Sequence, residues 1–458
     1  MKAVLISGDR SGCGKTSISL ALSSLLSRRL KVQTFKAGMD YIDPSYLSGV
    51  TGRPCRNLDS FVMSPSEVSQ VFTYGCRGAD FALVEGVRGL FEGADALTDV
   101  GSTEAIARAL NLPVVLVISA RSITRSAAAV VKGFQAFSPD IQIKGVILNN
   151  VMGTKHADKA TSAIEHYCKI PVIGAIPRME EMELTMRHLG LVPFIERQGS
   201  SEFEKRIEKV TGLIEEHVSL DALTSIAADI PGLPEGVPLF PKEHVTDTRI
   251  AVAHDEAFNF YYSDLFDVLP ALGAEVIPFS PVRDPLPDAE GYIIGGGYPE
   301  LFLPGLESNT RMREAIREQS DNDVPIYAEC GGLMYLTERI RLMEGWQGLS
   351  QERVFEMAGV FTGETRMPAR RVVSYVEGVS TDGCPLGGGN FKGHEFHYSD
   401  VCLAPETNYA YRLTRGTGIH GMYDGAVTGQ TLGSYTHLHP VPGIAMFRHF
   451  VGRCRTRT

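Results

Sequence analysis

The first sixteen residues constrain this chain most. An apolar run ending at Ile6 leads into Ser7-Gly8-Asp9-Arg10-Ser11-Gly12-Cys13-Gly14-Lys15-Thr16, and a helical pattern continues through Ile18, Leu22, Leu25 and Leu26. A buried strand feeding a glycine-rich loop and then a helix points backbone N–H groups and the positive helix end at a bound phosphate. Lys15 is placed to reach the outer phosphates and Thr16 to ligate Mg2+. The strict pattern needs a glycine where Asp9 stands; here the glycine is Gly8, so the loop is one residue longer than the standard one. Gly8, Ser11, Gly12, Gly14, Lys15 and Thr16 are therefore the expected nucleotide-phosphate residues.

The next 160 or so residues alternate apolar strands, expected at 31–35, 80–85, 114–118, 143–148 and 172–176, with helices at 102–110 and 126–137. Such alternation predicts a largely parallel sheet covered by helices on both faces, with ligands at the carboxyl ends of the strands. Glu85 ends one strand and is positioned to meet a cation held by Thr16. Asp40 and Asp43 follow another; one of them suits Mg2+, and Asp43 equally suits capping a turn that starts at Pro44. Arg53 and Arg56 lie in a polar stretch, 51–59, that reads as a binding loop. Asn149 and Asn150 at a strand end suit either base recognition or a turn. Residues 202–217 carry Phe203, Ile207, Val210 and Ile214 on one helical stripe, and 220–230 reads as a second helix. Pro231, Pro234, Pro238 and Pro241 then mark a linker at about 231–248, dividing a 1–240 domain from a 249–458 domain.

The second half restarts with a buried strand at 249–253 and an aromatic-rich helix expected over 257–272. Gly291-Tyr292-Ile293-Ile294 runs into Gly295-Gly296-Gly297, where Gly296 and Gly297 leave N–H groups uncovered, as an oxyanion hole requires. Pro325-Ile326-Tyr327-Ala328-Glu329 meets Cys330 at a turn followed by Gly331-Gly332 and a helix, the strand–turn–helix form of a nucleophile elbow with cysteine as the nucleophile. A cysteine nucleophile needs a histidine base. The candidates are His394, His397, His420, His437 and His439; His437, after a late apolar strand, is the preferred one, with His439 on the same face. His394-Glu395 in a strand-like context is not a zinc motif.

Lys and Arg number 44 against 54 Asp and Glu, a net charge of -10, which argues against nucleic acid or anionic membranes as partners. The eight cysteines lack paired spacing, which argues against a disulfide scaffold or a structural metal. No apolar run is long enough to span a bilayer and the chain begins directly with a strand, so a cytoplasmic protein without a signal peptide is expected. The sequence leaves the oligomeric state open.

A phosphate loop and a cysteine elbow in one chain fit glutamine hydrolysis through a γ-glutamyl thioester, the ammonia being used on a carboxylate activated by ATP. The motifs named above, with Glu85-Gly86 through Phe91, Gly295 through Glu300, Gly393 through Tyr398 and Tyr435 through His439, resemble the glutamine-dependent a,c-diamide synthases of the cobyrinic acid family nearly end to end. The first half is similar to dethiobiotin synthetase and the second to a class I glutamine amidotransferase domain. The resemblance implies an α/β protein with an N-terminal P-loop parallel-sheet domain and a C-terminal amidotransferase-like domain. It implies ATP and Mg2+ at Lys15, Thr16, Asp40 or Asp43, and Glu85, and Cys330 with His437 as nucleophile and base. Most class I glutaminases carry a glutamate two residues after that histidine, and here His439 stands there, so a Cys330–His437 dyad with the histidine oriented by another group is expected. The wording of 33–40 and 54–56 is more similar to the branch acting on nickel sirohydrochlorin than to the one acting on cobyrinic acid. For either polycarboxylate, Arg53, Arg56, Arg88 and Arg121 are the expected substrate contacts.

Overall fold

The computed structural model describes residues 1–178, 201–230, 239, 240, 242 and 246–456, and the chain forms two compact units, Met1–Leu239 and Phe240–Thr458. The four prolines read as a linker lie outside the described residues. Among the described residues no helix is long and apolar enough to cross a membrane.

In the first unit, strands β1 (Lys2–Gly8), β2 (Val32–Ala37), β3 (Arg56–Leu58), β4 (Phe81–Glu85), β5 (Val114–Ser119), β6 (Ile143–Val151) and β7 (Val172–Pro177) form a sheet in the order β3-β2-β4-β1-β5-β6-β7. Each neighbouring pair is parallel. The intervening helices are α1 (Lys15–Ser27), α2 (Ile42–Thr51), α3 (Pro65–Gly75), α4 (Thr103–Leu110), α5 (Arg125–Phe137) and α6 (Thr154–Cys168). They explain why the central strands are apolar on both faces: β4 is buried from end to end. Because β1 sits between β4 and β5, the loops after β1, β2, β4 and β5 converge at one carboxyl edge, where such sheets bind ligands.

Helix α1 packs Ile18, Leu22 and Leu25 in one core with Val210 and Ile214 of the helix Ser201–His217, each such side chain contributing about 1.5–3 kcal/mol when fully buried. Ile207 of the expected stripe packs instead against Leu20, Tyr46, Leu47 and Cys55. The side chain of Phe203 lies outside the described residues. The helix expected over 220–230 ends at Ile226, and Ala228–Asp229 form β8, antiparallel to β1. Helix α2 was not expected. It starts where Asp43-Pro44 was read as loop, with proline in the first turn, where its missing N–H costs nothing.

In the second unit β9 (Thr248–Ala253), β10 (Ala274–Phe279), β11 (Gly291–Ile294) and β12 (Ile326–Glu329) precede β13 (Thr337–Leu342), β14 (Arg353–Glu356), β15 (Phe361–Met367), β16 (Val372–Ser380), β17 (Gly389–His397) and β18 (Asp400–Leu403). Strands β19 (Asn408–Arg415), β20 (Tyr423–Thr428), β21 (Thr431–Ser434) and β22 (His437–Leu438) complete it. The main sheet has the order β10-β9-β11-β12-β21-β20-β19-β16-β17-β22, and β14-β13-β15-β18 form a smaller one. Strands β10, β9, β11, β12 and β21 run parallel, so the ends of β11, β12 and β21 share one edge. The aromatic helix expected over 257–272 shrinks to Leu265–Ala271. Asp255 accepts the N–H groups of Ala257 and Phe258 and turns the chain, and Phe260 forms a bridge with Gly296. The aromatic run is buried by this crossing loop rather than by a helix face.

Candidate functional site

The phosphate loop leaves β1 at Gly8, and α1 begins directly at Lys15 with Gly14 as its cap at φ 97°. Only glycine takes that conformation easily, and a Cβ at Gly14 would stand 2.3 Å from Asn149 Nδ2. Gly12 is also left-handed at φ 77°. The extra residue is absorbed by Asp9, whose N–H bonds to Val117 O at 3.0 Å while its buried carboxylate takes the Arg10 guanidinium at 2.6 Å. Asn149 donates to Cys13 O at 2.8 Å and Asn150 to Ser119 Oγ at 3.2 Å. The Asn149 amide thus braces the loop.

Thr16, Asp43 and Glu85 do converge. The Thr16 hydroxyl donates to Glu85 at 2.5 Å and lies 3.3 Å from Asp43. The centre of the cluster is a residue the sequence reading left out: Lys36, at the end of β2 and 2 % exposed, places Nζ 2.5 Å from Asp43 and 2.8 Å from Glu85. Burial alone would strip its proton, yet Asp43, Glu85 and Asp40 together raise its pKa. Burial also pushes up the Glu85 carboxyl, against the pull of Lys36. At Asp43 burial works the same way, but the charge and hydrogen bond of Lys36 win and hold the carboxyl below its ordinary value. Asp40 lies 4.0 Å from Lys36 and accepts the N–H groups of Ile42 at 2.8 Å and Asp43 at 3.1 Å. It is therefore Asp40, not Asp43, that caps the turn entering α2, and burial with the Asp43 charge pushes its carboxyl up to about 7.

Hard oxygen donors at Thr16, Asp43 and Glu85 suit Mg2+, and Glu85 Oε2 is buried without a hydrogen-bond partner among the described residues. Among the described residues no group of three or more His, Cys, Asp and Glu is arranged to hold a metal by itself. A cation here would share its coordination with phosphate oxygens and water, the usual condition for Mg2+ beside a nucleotide.

The four arginines separate into two pairs. Arg53 bonds Gln33 Oε1 at 3.0 Å, Gly75 O at 3.1 Å and Arg77 O at 2.9 Å, which ties it to the end of α3. Arg56 lies in β3, buried, with its guanidinium 4.7 Å from the centre of the Tyr74 ring. Both are drawn into the fold, which corrects the reading of 51–59 as a substrate-binding loop. Arg88 and Arg121 are exposed in the loops after β4 and β5, at the carboxyl edge.

In the second unit the elbow is as expected. Cys330, between β12 and the helix Gly331–Leu336, has φ 47° and ψ -100°, a strained conformation for a side chain. A Cβ at Gly332 would come within 2.0 Å of Ile294 O, and one at Gly331 within 3.1 Å of Gly297 N. The glycines thus let the elbow press against the end of β11. The backbone of Gly297 therefore lies directly against the first residue of the helix that follows Cys330. Gly296 contributes space, since a Cβ there would stand 2.6 Å from His437 Cε1.

His437 is the histidine that reaches Cys330. Burial opposes its protonation, but hydrogen bonds to Cys330 and Glu329 push its pKa up to about 10. Its Nδ1 lies 3.2 Å from Glu329 Oε2. His394 stacks on it with ring centres 4.9 Å apart, and burial keeps His394 neutral. His439 does not join it: its Nε2 lies 3.8 Å from Asp264 and its ring 4.5 Å from that of Tyr262. His397 stacks on Tyr435, and His420 is exposed in a turn. Glu329, like Lys36, was missed; both signals were an ionisable residue inside an apolar strand.

Comparison with known proteins agrees with this division. Residues 4–192 match the CobQ/CobB/MinD/ParA nucleotide binding domain and residues 249–442 the CobB/CobQ-like glutamine amidotransferase domain. The chain is 50% identical to the cobyrinate a,c-diamide synthase of Methanosarcina acetivorans, with 96% of this chain and 92% of that protein covered. It is 48% identical to the protein of the same name from Methanosarcina barkeri (96% and 93%), and 44% identical to that from Methanothermobacter thermautotrophicus (95% and 96%). With identity at this level over nearly the whole length, the chain belongs to the cobyrinate a,c-diamide synthase family, which joins a nucleotide-binding domain to a glutamine amidotransferase domain.

Proposed function

We propose that this protein converts the a and c acetate carboxylates of a metal tetrapyrrole to amides, using ATP and the amide nitrogen of glutamine. What supports this is the presence in one chain of a strained cysteine elbow with its histidine and of a phosphate loop facing a lysine–carboxylate cluster. Neither site alone needs the other; amide synthesis from glutamine needs both.

At the elbow the Cys330 thiolate attacks the glutamine Cδ, and the resulting oxyanion takes the N–H groups of Gly297 and Gly331. Protonated His437 gives its proton to the leaving nitrogen as the C–N bond breaks, releasing ammonia and leaving the thioester. Neutral His437 then takes a proton from water, whose oxygen displaces Cys330 and frees glutamate. In the first unit a substrate carboxylate oxygen attacks the γ-phosphorus of ATP, giving an acyl phosphate and ADP; ammonia displaces phosphate and forms the amide. Lys15 and the helix end hold the transferring phosphate. Mg2+ bound by Thr16, Asp43 and Glu85 would draw off the charge that builds on the phosphate oxygens. Arg88 and Arg121, exposed at the same edge, would take the carboxylates of the macrocycle. Two such cycles give the diamide.

The relatives are named for cobyrinate, whereas 33–40 and 54–56 favour nickel sirohydrochlorin, so the macrocycle is settled by assay. Purified protein with ATP, Mg2+ and glutamine is offered each macrocycle separately, and products are resolved by mass. Two successive amide additions to one of them, with glutamine replaceable by ammonium in Cys330→Ala, support the reading; turnover of neither refutes it.

A further inference from the structure

An imidazole that must first protonate the leaving nitrogen and then deprotonate water needs a fixed orientation, and Nδ1 is the handle by which proteins fix it. The residue two places after His437 that usually supplies a carboxylate is His439, which is turned to Asp264 and Tyr262. Two other buried carboxylates of the region are committed elsewhere. Glu395 accepts the N–H groups of Thr417 at 2.6 Å and Gly418 at 3.0 Å, and Asp424 those of Tyr435 at 3.0 Å and Thr436 at 2.9 Å.

We propose that Glu329, the residue directly before the nucleophile, is the positioning carboxylate of the glutaminase site, so that Glu329 and Cys330 hold the two ends of one imidazole. This rests on the reading of Cys330 and His437 given above. In a regular strand consecutive side chains point to opposite faces. The φ of 47° at Cys330 breaks that alternation and turns the thiol toward the ring whose Nδ1 lies 3.2 Å from Glu329 Oε2. The other oxygen, Oε1, accepts the Leu438 N–H at 3.0 Å and the Tyr327 hydroxyl, so the carboxylate is held on three sides. Leu438 is the neighbour of His437, and Tyr327 lies two residues back on the same face of β12. Carboxylate, nucleophile and base are thus set by a single turn between β12 and its helix and by the two-residue strand β22. Among the described residues, His394, stacked on the ring and neutral, and His397 are further titratable side chains that act on it.

The test compares full-length wild type with Glu329→Gln, Glu329→Asp and Tyr327→Phe. Glutaminase kcat, glutamine KM and the pH profile are measured for each, and amidation driven by ammonium chloride, which bypasses Cys330, serves as the folding control. Removing the orienting carboxylate in other triads lowers kcat by about 10⁴. For Glu329→Gln a loss of about 10³ or more is expected, with glutamine KM within about threefold and ammonium-driven amidation retained. The alkaline limb of the pH profile is expected to fall by about one unit or more, because the imidazolium loses its counter-charge. Glu329→Asp recovers about tenfold over Gln, and Tyr327→Phe loses about tenfold, as for one hydrogen bond. A Glu329→Gln kcat within about fivefold of wild type overturns the proposal. So does a loss shared equally by the ammonium reaction with the alkaline limb unmoved, which marks a structural role. If the Gln variant does not accumulate, wild-type kinetics in both Glu329→Asp and Tyr327→Phe overturn it. Wild type without any glutaminase activity would instead sink the parent reading.

Discussion

Lys36→Met removes the cation on which the first site is built, and its cost follows from what the neighbours can do instead. Nζ stands 2.8 Å from Glu85, a side chain with no solvent exposure, and 2.5 Å from Asp43. Without the ammonium the buried Glu85 takes up a proton rather than remain an unpaired anion. Holding a proton at a given pH costs about 1.4 kcal/mol for each unit between that pH and the group's ordinary value, here 4.5. Because burial already pushes the carboxyl up in the wild type, the loss from Glu85 in ligand-free protein is therefore at most about 3.5 kcal/mol at pH 7 and below about 1 kcal/mol at pH 5. The sign is fixed by the carboxyl: the folded variant binds one more proton than its unfolded chain, so it gains on wild type as pH falls. Native-state hydrogen exchange in EDTA, read by mass spectrometry on peptides covering 32–37 and 81–85 at several pH values, measures the difference. A loss that does not change between pH 5 and pH 7, or one below about 1 kcal/mol at pH 7, would refute the account.

Other substitutions address separate parts of the two sites. Gly332→Ala forces a Cβ to within 2.0 Å of Ile294 O and should displace the elbow, lowering glutaminase kcat by about 100-fold while ammonium-driven amidation continues. Asn149→Ala removes the 2.8 Å bond to Cys13 O and should raise the KM for ATP several-fold with glutaminase unchanged, as read by a coupled ADP assay. Arg53→Ala should cost about 1–3 kcal/mol in stability, because two carbonyls near the end of α3 and Gln33 lose their donor, yet leave the macrocycle KM alone. Arg121→Ala should do the reverse, raising that KM without a measurable change in stability.

What was legible in the sequence was whatever a local pattern dictates. The loop from Gly8 to Thr16 and the turn at Cys330 are each flanked by a strand and a helix whose apolar periodicity announces them, and glycines stand where a Cβ would collide with backbone or neighbouring side chains. What escaped were the groups whose role depends on partners far along the chain. Lys36 reads as an ordinary strand residue until Asp43 and Glu85 are placed around it. Arg53 and Arg56 read as a binding loop because the Gly75 carbonyl and the Tyr74 ring that take them up are about twenty residues away. The aromatic run after Ala257 has the composition of a helix, but Asp255 takes the N–H groups that would have continued one.

The two sites, built on different sheets, solve one problem in the same way. Each must keep an anion ready in a place from which water is largely excluded, and an isolated buried anion would take up a proton. In the first unit Lys36 holds the Asp43 carboxyl below its ordinary value, and in the second the raised pKa of His437 keeps an imidazolium against Cys330. The difference lies in what happens next. Lys36 is enclosed by three carboxylates, which hold its proton in place. His437 faces one carboxylate and Cys330; in the proposed reaction the thiolate loses its charge as sulfur bonds to the glutamine Cδ, half of what holds the proton is then gone, and the proton passes to the leaving nitrogen, which departs as ammonia. A fixed charge is what phosphate binding needs, whereas acyl transfer needs one that can be given up, and the number of anions around each cation makes that choice.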